Sequence, residues 1–172
     1  MVVRARGGRR VVEANALPVT DDVVIRTAAL PGDTKAWGQM RQALWPDELD
    51  VGDVESLHAA IEPMDGSCVL LAVTREGEAI GFAEAKLRRD YVNGTESSPV
   101  GFLEGWYVAP PWRGKGVGRS LIDAVEHWTA TQGCSELASD TLLDNEGSHA
   151  AHLGCGFEET DRVVYFRKRV SP

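Results

Sequence analysis

Arg113-Gly114-Lys115-Gly116-Val117-Gly118 sets three alternating glycines between a β-rich apolar run, Val100 to Ala109, and an amphipathic helical run from Gly116 to Thr131. Glycine permits the sharp turn and lets an oxygen come close to the backbone. A strand-to-helix junction adds free N–H groups and the positive end of the helix dipole, so the segment predicts an anion site in an α/β fold. Two common phosphate motifs do not fit. A P-loop ending at Ser120 needs Gly at position 113 and Lys at position 119, where the chain has Arg113 and Arg119. A dinucleotide fingerprint starting at Gly114 meets Arg119 in place of its third glycine, and one starting at Gly116 meets Leu121. An ordinary structural turn is the competing reading.

The surrounding patterns predict the order β-α-α-β-β-β-α-β-α-β-β. Val23 to Ala29 reads as a strand. Asp33 caps a helix carrying Trp37, Met40 and Leu44, which Pro46 stops, and Asp53 opens a second, shorter helix. Ser67 to Thr74 and Ala79 to Arg88 form a hairpin around Arg75-Glu76-Gly77-Glu78, and Asp90 to Pro99 is loop. After the glycine turn, Val117, Leu121, Ala124, Val125 and Trp128 share one helix face, with Gly133 as the stop. Glu136 to Asp140 is a short strand, Asn145 to Leu153 a helix, and Phe157 to Arg169 two closing strands. The expected fold is α/β: a mixed, mostly antiparallel central sheet flanked by helices. Residues 1 to 22, with Arg4, Arg6, Arg9 and Arg10 around Gly7-Gly8, read as a flexible extension that could also serve as a basic arm or transit peptide, and 23 to 172 as one domain.

Charge narrows the partners. Eighteen Lys and Arg against 26 Asp and Glu leave −8 with His neutral, which disfavours a nucleic-acid binder and favours a small polycationic substrate. No run is long and apolar enough for a membrane span, and Cys68, Cys134 and Cys155 lack zinc or redox spacing, so the expectation is a cytoplasmic protein with reduced thiols. His149 and His152 share a helix face without a third ligand, so no metal is expected, and His58 and His127 read as surface residues.

Arg-x-x-Gly-x-Gly from Arg113 to Gly118, after Trp106-Tyr107-Val108, resembles the pyrophosphate motif of the GNAT acetyltransferase superfamily. The resemblance implies that the amides of Gly114, Lys115, Gly116, Val117, Gly118 and Arg119 hold the coenzyme A pyrophosphate, that backbone near Tyr107 and Val108 aligns the pantetheine arm, and that acetyl-CoA is the co-substrate. Asn145 and Gly156-Phe157 fall where that superfamily places its next elements. Many of its members carry a tyrosine five residues before such a Phe to protonate the thiolate; here that position is His152.

A narrower similarity runs from about Arg41 to Arg169, through Leu44-Trp45-Pro46, Gly81-Phe82-Ala83, Asp90-Tyr91-Val92-Asn93-Gly94, Ser98-Pro99-Val100, Phe102-Leu103-Glu104-Gly105, Ala138-Ser139-Asp140-Thr141, Gly156-Phe157-Glu158-Glu159-Thr160 and Arg167-Lys168-Arg169. It is similar to the aminoglycoside 6′-N-acetyltransferases, which implies a polyamino sugar as substrate. Residues 50 to 61 and Leu142-Leu143 depart from that pattern.

A substrate with several ammonium groups needs carboxylates and flat surfaces. Glu104, Asp140 and Asp161 are the carboxylates at matched or similar positions, and Trp45 and Tyr91 are the aromatics. Glu104 stands in an apolar strand, where a charge is costly without a partner or a task. It is the first choice for the base that deprotonates the amine, with a salt bridge within the sheet as the alternative. Asp140 at its strand end is the second. His152 and Tyr165 are candidates to protonate the leaving thiolate. No nucleophile is visible, so direct transfer in a ternary complex is expected. A homodimer is implied by the resemblance, with acidic residues near Asp161 able to reach a neighbour's site. Rival readings are a polyamine or peptide N-acetyltransferase of the same fold, and a non-catalytic acyl-CoA-binding module.

Overall fold

Strands buried on both faces need near-continuous apolar residues, and the runs from Cys68 to Val73 and from Ile80 to Ala85 supply them. In the computed structural model, which describes residues 18–20, 22–48, 57 and 66–170, these runs form β3 (Ser67–Thr74) and β4 (Ala79–Arg88) at the middle of a six-stranded sheet. The sheet order is β1-β2-β3-β4-β5-β6. β1 (Pro18–Thr20) and β2 (Val23–Thr27) lie on one side, β5 (Val100–Val108) and β6 (Leu137–Ser139) on the other. All neighbours are antiparallel except β5 and β6, which are parallel and joined by a helical crossover.

Helices cover both faces. α1 (Thr34–Leu44) buries Trp37 and Met40 against Leu71, Phe82 and Val73. α2 (Val117–Thr131) buries Val117, Leu121, Ile122 and Val125 against Ile25, Leu70, Ala83 and Leu103. Each fully buried Leu or Ile side chain contributes about 1.5–3 kcal/mol. α3 (Glu146–Gly154) is shorter and is capped by Asn145, whose Oδ1 accepts the Ser148 N–H at 3.1 Å.

The β4–β5 ladder holds a bulge. Glu84 pairs with Gly105 while Ala85 pairs with Leu103, which leaves Glu104 as the extra residue on β5. Such an insertion bends the strand and re-aims a side chain.

Three expectations change, and a fourth is not tested. Pro18–Thr20 pairs with β2, so the final part of the presumed extension is an edge strand. Asp33 sits at the N-cap of α1 without a side-chain cap bond. Its carboxylate instead takes both Nη groups of Arg26 at 2.7 Å and the Ala29 N–H at 2.7 Å, because a charged guanidinium outcompetes a peptide N–H. The two closing strands expected between Phe157 and Arg169 do not form: residues 158 to 170 are exposed and without regular structure. A strand needs a partner, and beyond β6 no strand borders the sheet among the described residues. The helix opened by Asp53 falls outside the described residues, apart from Leu57, which is helical and fully buried under α1.

Candidate active site

β5 and β6 pair only as far as Leu103↔Ser139, and β5 then runs on to Val108 paired with β4 but not with β6. The strands part there, opening a crevice whose far end is the N-terminus of α2. Gly114 and Gly116 hold φ +72° and +86°, with open space where a Cβ would stand. Gly118 is needed for approach, since a Cβ there would lie 2.8 Å from the Trp106 ring. The first N–H groups of α2 have no intrahelical acceptor and face the positive dipole end. Arg113 donates from Nε to the Val108 carbonyl at 2.8 Å with its guanidinium 5.7 Å from the Tyr107 ring, and Lys115 lies over Trp112. Arg119 donates to the carbonyl of Gly154. Glycine backbone, free amides and flanking cations fit a pyrophosphate. The indole N–H of Trp106, buried without a hydrogen-bond partner among the described residues, is an unused donor on the crevice wall.

His152 of α3 lines the same crevice. Its ring stands edge-on to Trp106 at 5.7 Å and to Phe157 at 5.1 Å. Nδ1 lies 2.8 Å from the Ser148 carbonyl, and Nε2 lies 3.0 Å from the Ser139 hydroxyl, which is itself 3.3 Å from the Leu103 carbonyl. With Nδ1–H donating to Ser148, a neutral ring accepts from Ser139. A protonated ring donates to Ser139, whose hydroxyl then donates to Leu103. Both states are hydrogen-bonded. Ser139 belongs to the site although the sequence reading did not single it out; its signal was its place beside Asp140 at the strand end.

Glu104 and Asp140 each follow the last β5–β6 pair, at the crevice mouth. Asp140 is exposed. The Glu104 carboxylate takes two bonds of 3.0 Å from Arg88 Nη2, and the side chains of the pair are 29% and 41% exposed. The expected alternative of an in-sheet salt bridge is therefore present, in a form open to solvent. The Arg88 guanidinium rests 3.4 Å above Phe102.

Trp45 lies half-buried against Gly105, where an added Cβ would be 2.5 Å from its Cη2. Tyr91 is 81% exposed in its loop. Tyr107 stacks on Phe82 at 6.2 Å, so its half-buried ring packs against the core under α1 while its backbone borders the crevice. Asn145 spends its side chain on the α3 cap. Asp161 and Tyr165 stand apart on the exposed C-terminal arm, whose Thr160 touches Gly94. Among the described residues no His, Cys, Asp and Glu group suits a metal ion.

One carboxylate escaped the sequence reading. Glu84 on β4 is buried, accepting from Trp37 Nε1 at 2.9 Å and from Arg41 Nη1 at 2.8 Å. A charge inside Gly81-Phe82-Ala83-Glu84-Ala85 was the available signal.

The sequence profile of the acetyltransferase (GNAT) family matches residues 37–157. An aminoglycoside N(6′)-acetyltransferase type 1 of Stenotrophomonas maltophilia is 56% identical over 144 residues, 84% of this chain and 92% of that protein. One from Salmonella typhimurium is 46% identical over 136 residues, 77% of this chain and 90% of that protein. Among solved structures, the aminoglycoside 6′-N-acetyltransferase AAC(6′)-Ih of Acinetobacter baumannii superposes with a TM-score of 0.80 at 41% identity, covering 87% of this chain and 99% of that one. AAC(6′)-Iy, in complex with the bisubstrate analogue CoA-S-monomethyl-acetylneamine, gives 0.79 at 41% identity over 86% and 99%. The chain belongs to the acetyltransferase (GNAT) family, in its aminoglycoside 6′-N-acetyltransferase branch.

Proposed function

We infer that this protein transfers an acetyl group from acetyl-coenzyme A to the 6′-amine of aminoglycosides. The observation that carries the reading is the crevice itself, with anion-binding amides at one end and Glu104 and Asp140 at the other. Bound acetyl-coenzyme A supplies the acyl group as an activated thioester. The amides of residues 114 to 119 bind its pyrophosphate, and β5 backbone beyond the bulge orients the acyl carbonyl and stabilises charge on its oxygen. Glu104, directly or through one water, accepts the proton that the substrate ammonium must lose before it can attack. Asp140 and Asp161 attract the remaining ammonium groups, and Trp45 and Tyr91 offer aromatic faces to the sugar rings. His152, backed by Ser139, returns a proton to the departing sulfur, with Tyr165 or water as the other sources.

Acetylation removes one positive charge from a drug held by charge, which is a route to resistance. The protein acts in the cytoplasm, where acetyl-coenzyme A is made. It acts as a homodimer: Val164, Tyr165, Phe166 and Val170 are 77%, 78%, 92% and 83% exposed on the arm, and a cavity of about 600 Å³ lies beside β6, lined by Leu137 and Phe157 and by more polar residues, among them Glu126, Ser135, Glu136 and Glu158. Light scattering on the purified protein tests this, and a monomer at micromolar concentration would refute it.

Thiol release from acetyl-coenzyme A, compared across kanamycin, tobramycin, spermidine and a lysine-rich peptide, tests the function. Release with the aminoglycosides alone is expected. Release only with spermidine or peptide would keep the family chemistry and replace the substrate, and release with none would favour an acyl-CoA-binding module.

A further inference from the structure

We infer that Glu84 is a positioning residue for the amine substrate: through Arg41 it fixes the Trp45 indole against Gly105, one residue from Glu104. The inference rests on the aminoglycoside reading above, and it concerns a residue that takes no part in the proton transfers proposed there.

Trp37, Arg41 and Trp45 recur at four-residue spacing, so one side of α1 and its C-cap presents them in a row. The Arg41 guanidinium lies between the indoles, 5.6 Å from the Trp37 ring and 5.2 Å from the Trp45 ring. Glu84 Oε1 accepts from Trp37 Nε1 and Oε2 from Arg41 Nη1, and the side chains of Glu84 and Arg41 are 9% and 11% exposed. Burying such a pair gains little over an apolar pair of similar volume, so stability is a weak reason for it. What it supplies is direction. Planar guanidinium donors held by a fixed carboxylate leave Arg41 one place to stand, and that place is against Trp45.

The Trp45 ring is constrained from three sides: Arg41, Phe82 at 6.2 Å and 56°, and the bare backbone of Gly105. Its own backbone has left the helix, with φ −121° and ψ 69°, so these contacts set the ring's direction. Gly105 follows the bulged Glu104 and pairs with Glu84. The ladder that aims the base therefore also seats the ring.

The test uses the full chain with Glu84→Gln, Trp45→Phe and the double variant, reading kcat and KM for tobramycin and for acetyl-coenzyme A. Glu84→Gln is expected to raise the tobramycin KM by about fivefold or more, leave the acetyl-coenzyme A KM within about twofold, and add nothing in the Trp45→Phe background. Gly105→Ala, which pushes the ring from the opposite side, is expected to reproduce the tobramycin effect and stands in if Glu84→Gln does not fold. Equal effects with and without Trp45, parallel rises in both KM values, or a lower Tm with unchanged KM would overturn the proposal. Should wild-type protein acetylate no aminoglycoside, the substrate reading falls separately. Near-UV circular dichroism, with Trp45→Phe as the blank, then decides ring placement: a Trp45 signal unchanged by Glu84→Gln overturns the inference, and a lost one supports it.

Discussion

Glu84 and Glu104 sit on neighbouring strands at one bulge, Glu104 as its extra residue, each paired with an arginine, yet they are built for opposite ends. Glu84 is enclosed by Trp37, Arg41 and the sheet, and burial pushes its carboxyl above the usual range, with Arg41 and then the Trp37 hydrogen bond pulling it partly back. Glu104 meets Arg88 where β6 has parted from β5, and both side chains of that pair are partly exposed. The difference is one of exchangeability. A carboxylate under a helix cannot trade its partner for a substrate ammonium, whereas one at a crevice mouth can, and a single inserted residue in β5 separates the two environments.

That contrast breaks most visibly at the buried end. Glu84→Ala strands the Arg41 charge in the core, and removing one partner of a buried pair costs about 3–5 kcal/mol; denaturant unfolding is expected to show that loss. Next comes Glu104→Gln, expected to lower kcat with saturating tobramycin by on the order of 10²-fold while leaving stability nearly unchanged. Undiminished turnover would remove Glu104 as the base. Smaller still is Arg88→Ala, since a half-exposed pair contributes about 0–1 kcal/mol. It should leave the unfolding midpoint within a few degrees while lowering the tobramycin KM, because Glu104 no longer has to release an arginine. An unfolding loss as large as that of Glu84→Ala would show the two pairs to be equivalent.

The same contrast marks what could be read from the letters. β3, β4, β5 and α2 were legible because their apolar periods are long and their turns carry Gly77 and the 114–118 glycines. Glu104 was legible as a charge in an apolar strand, and the identical argument applied to Glu84 went unused. The bulge was not legible: it depends on Gly105 facing Glu84, a register that only the assembled ladder defines. Nor was the fate of the C-terminal arm, because Val163, Val164, Tyr165 and Phe166 have strand-forming side chains in either case and pairing is a property of the neighbour. Asp33 was legible as the N-cap, but its side-chain bond was not, since a local cap rule takes no account of Arg26 seven residues earlier.

Arg26 and Asp33 supply a third carboxylate–arginine pair, and pH separates it from the buried one. The Arg26 guanidinium holds Asp33 below the usual aspartate range, helped by the Ala29 N–H. A depressed folded value means that the unfolded chain binds more protons, so this contribution is present above the ordinary aspartate range and is lost as pH falls through the folded value. Glu84 runs the other way. Its raised folded value means that the native state holds the extra proton, so its contribution is full below the ordinary glutamate range and is lost as pH rises through the folded value. Wild-type stability measured against Asp33→Asn should therefore fall on acidification from neutral pH, while stability measured against Glu84→Gln should grow over the same range. The Asp33 effect is the smaller, because Arg26 is 39% exposed and water screens the pair. If both differences moved in the same direction with pH, burial would not be what distinguishes the Glu84 pair, and the division of labour between Glu84 and Glu104 would lose its physical basis.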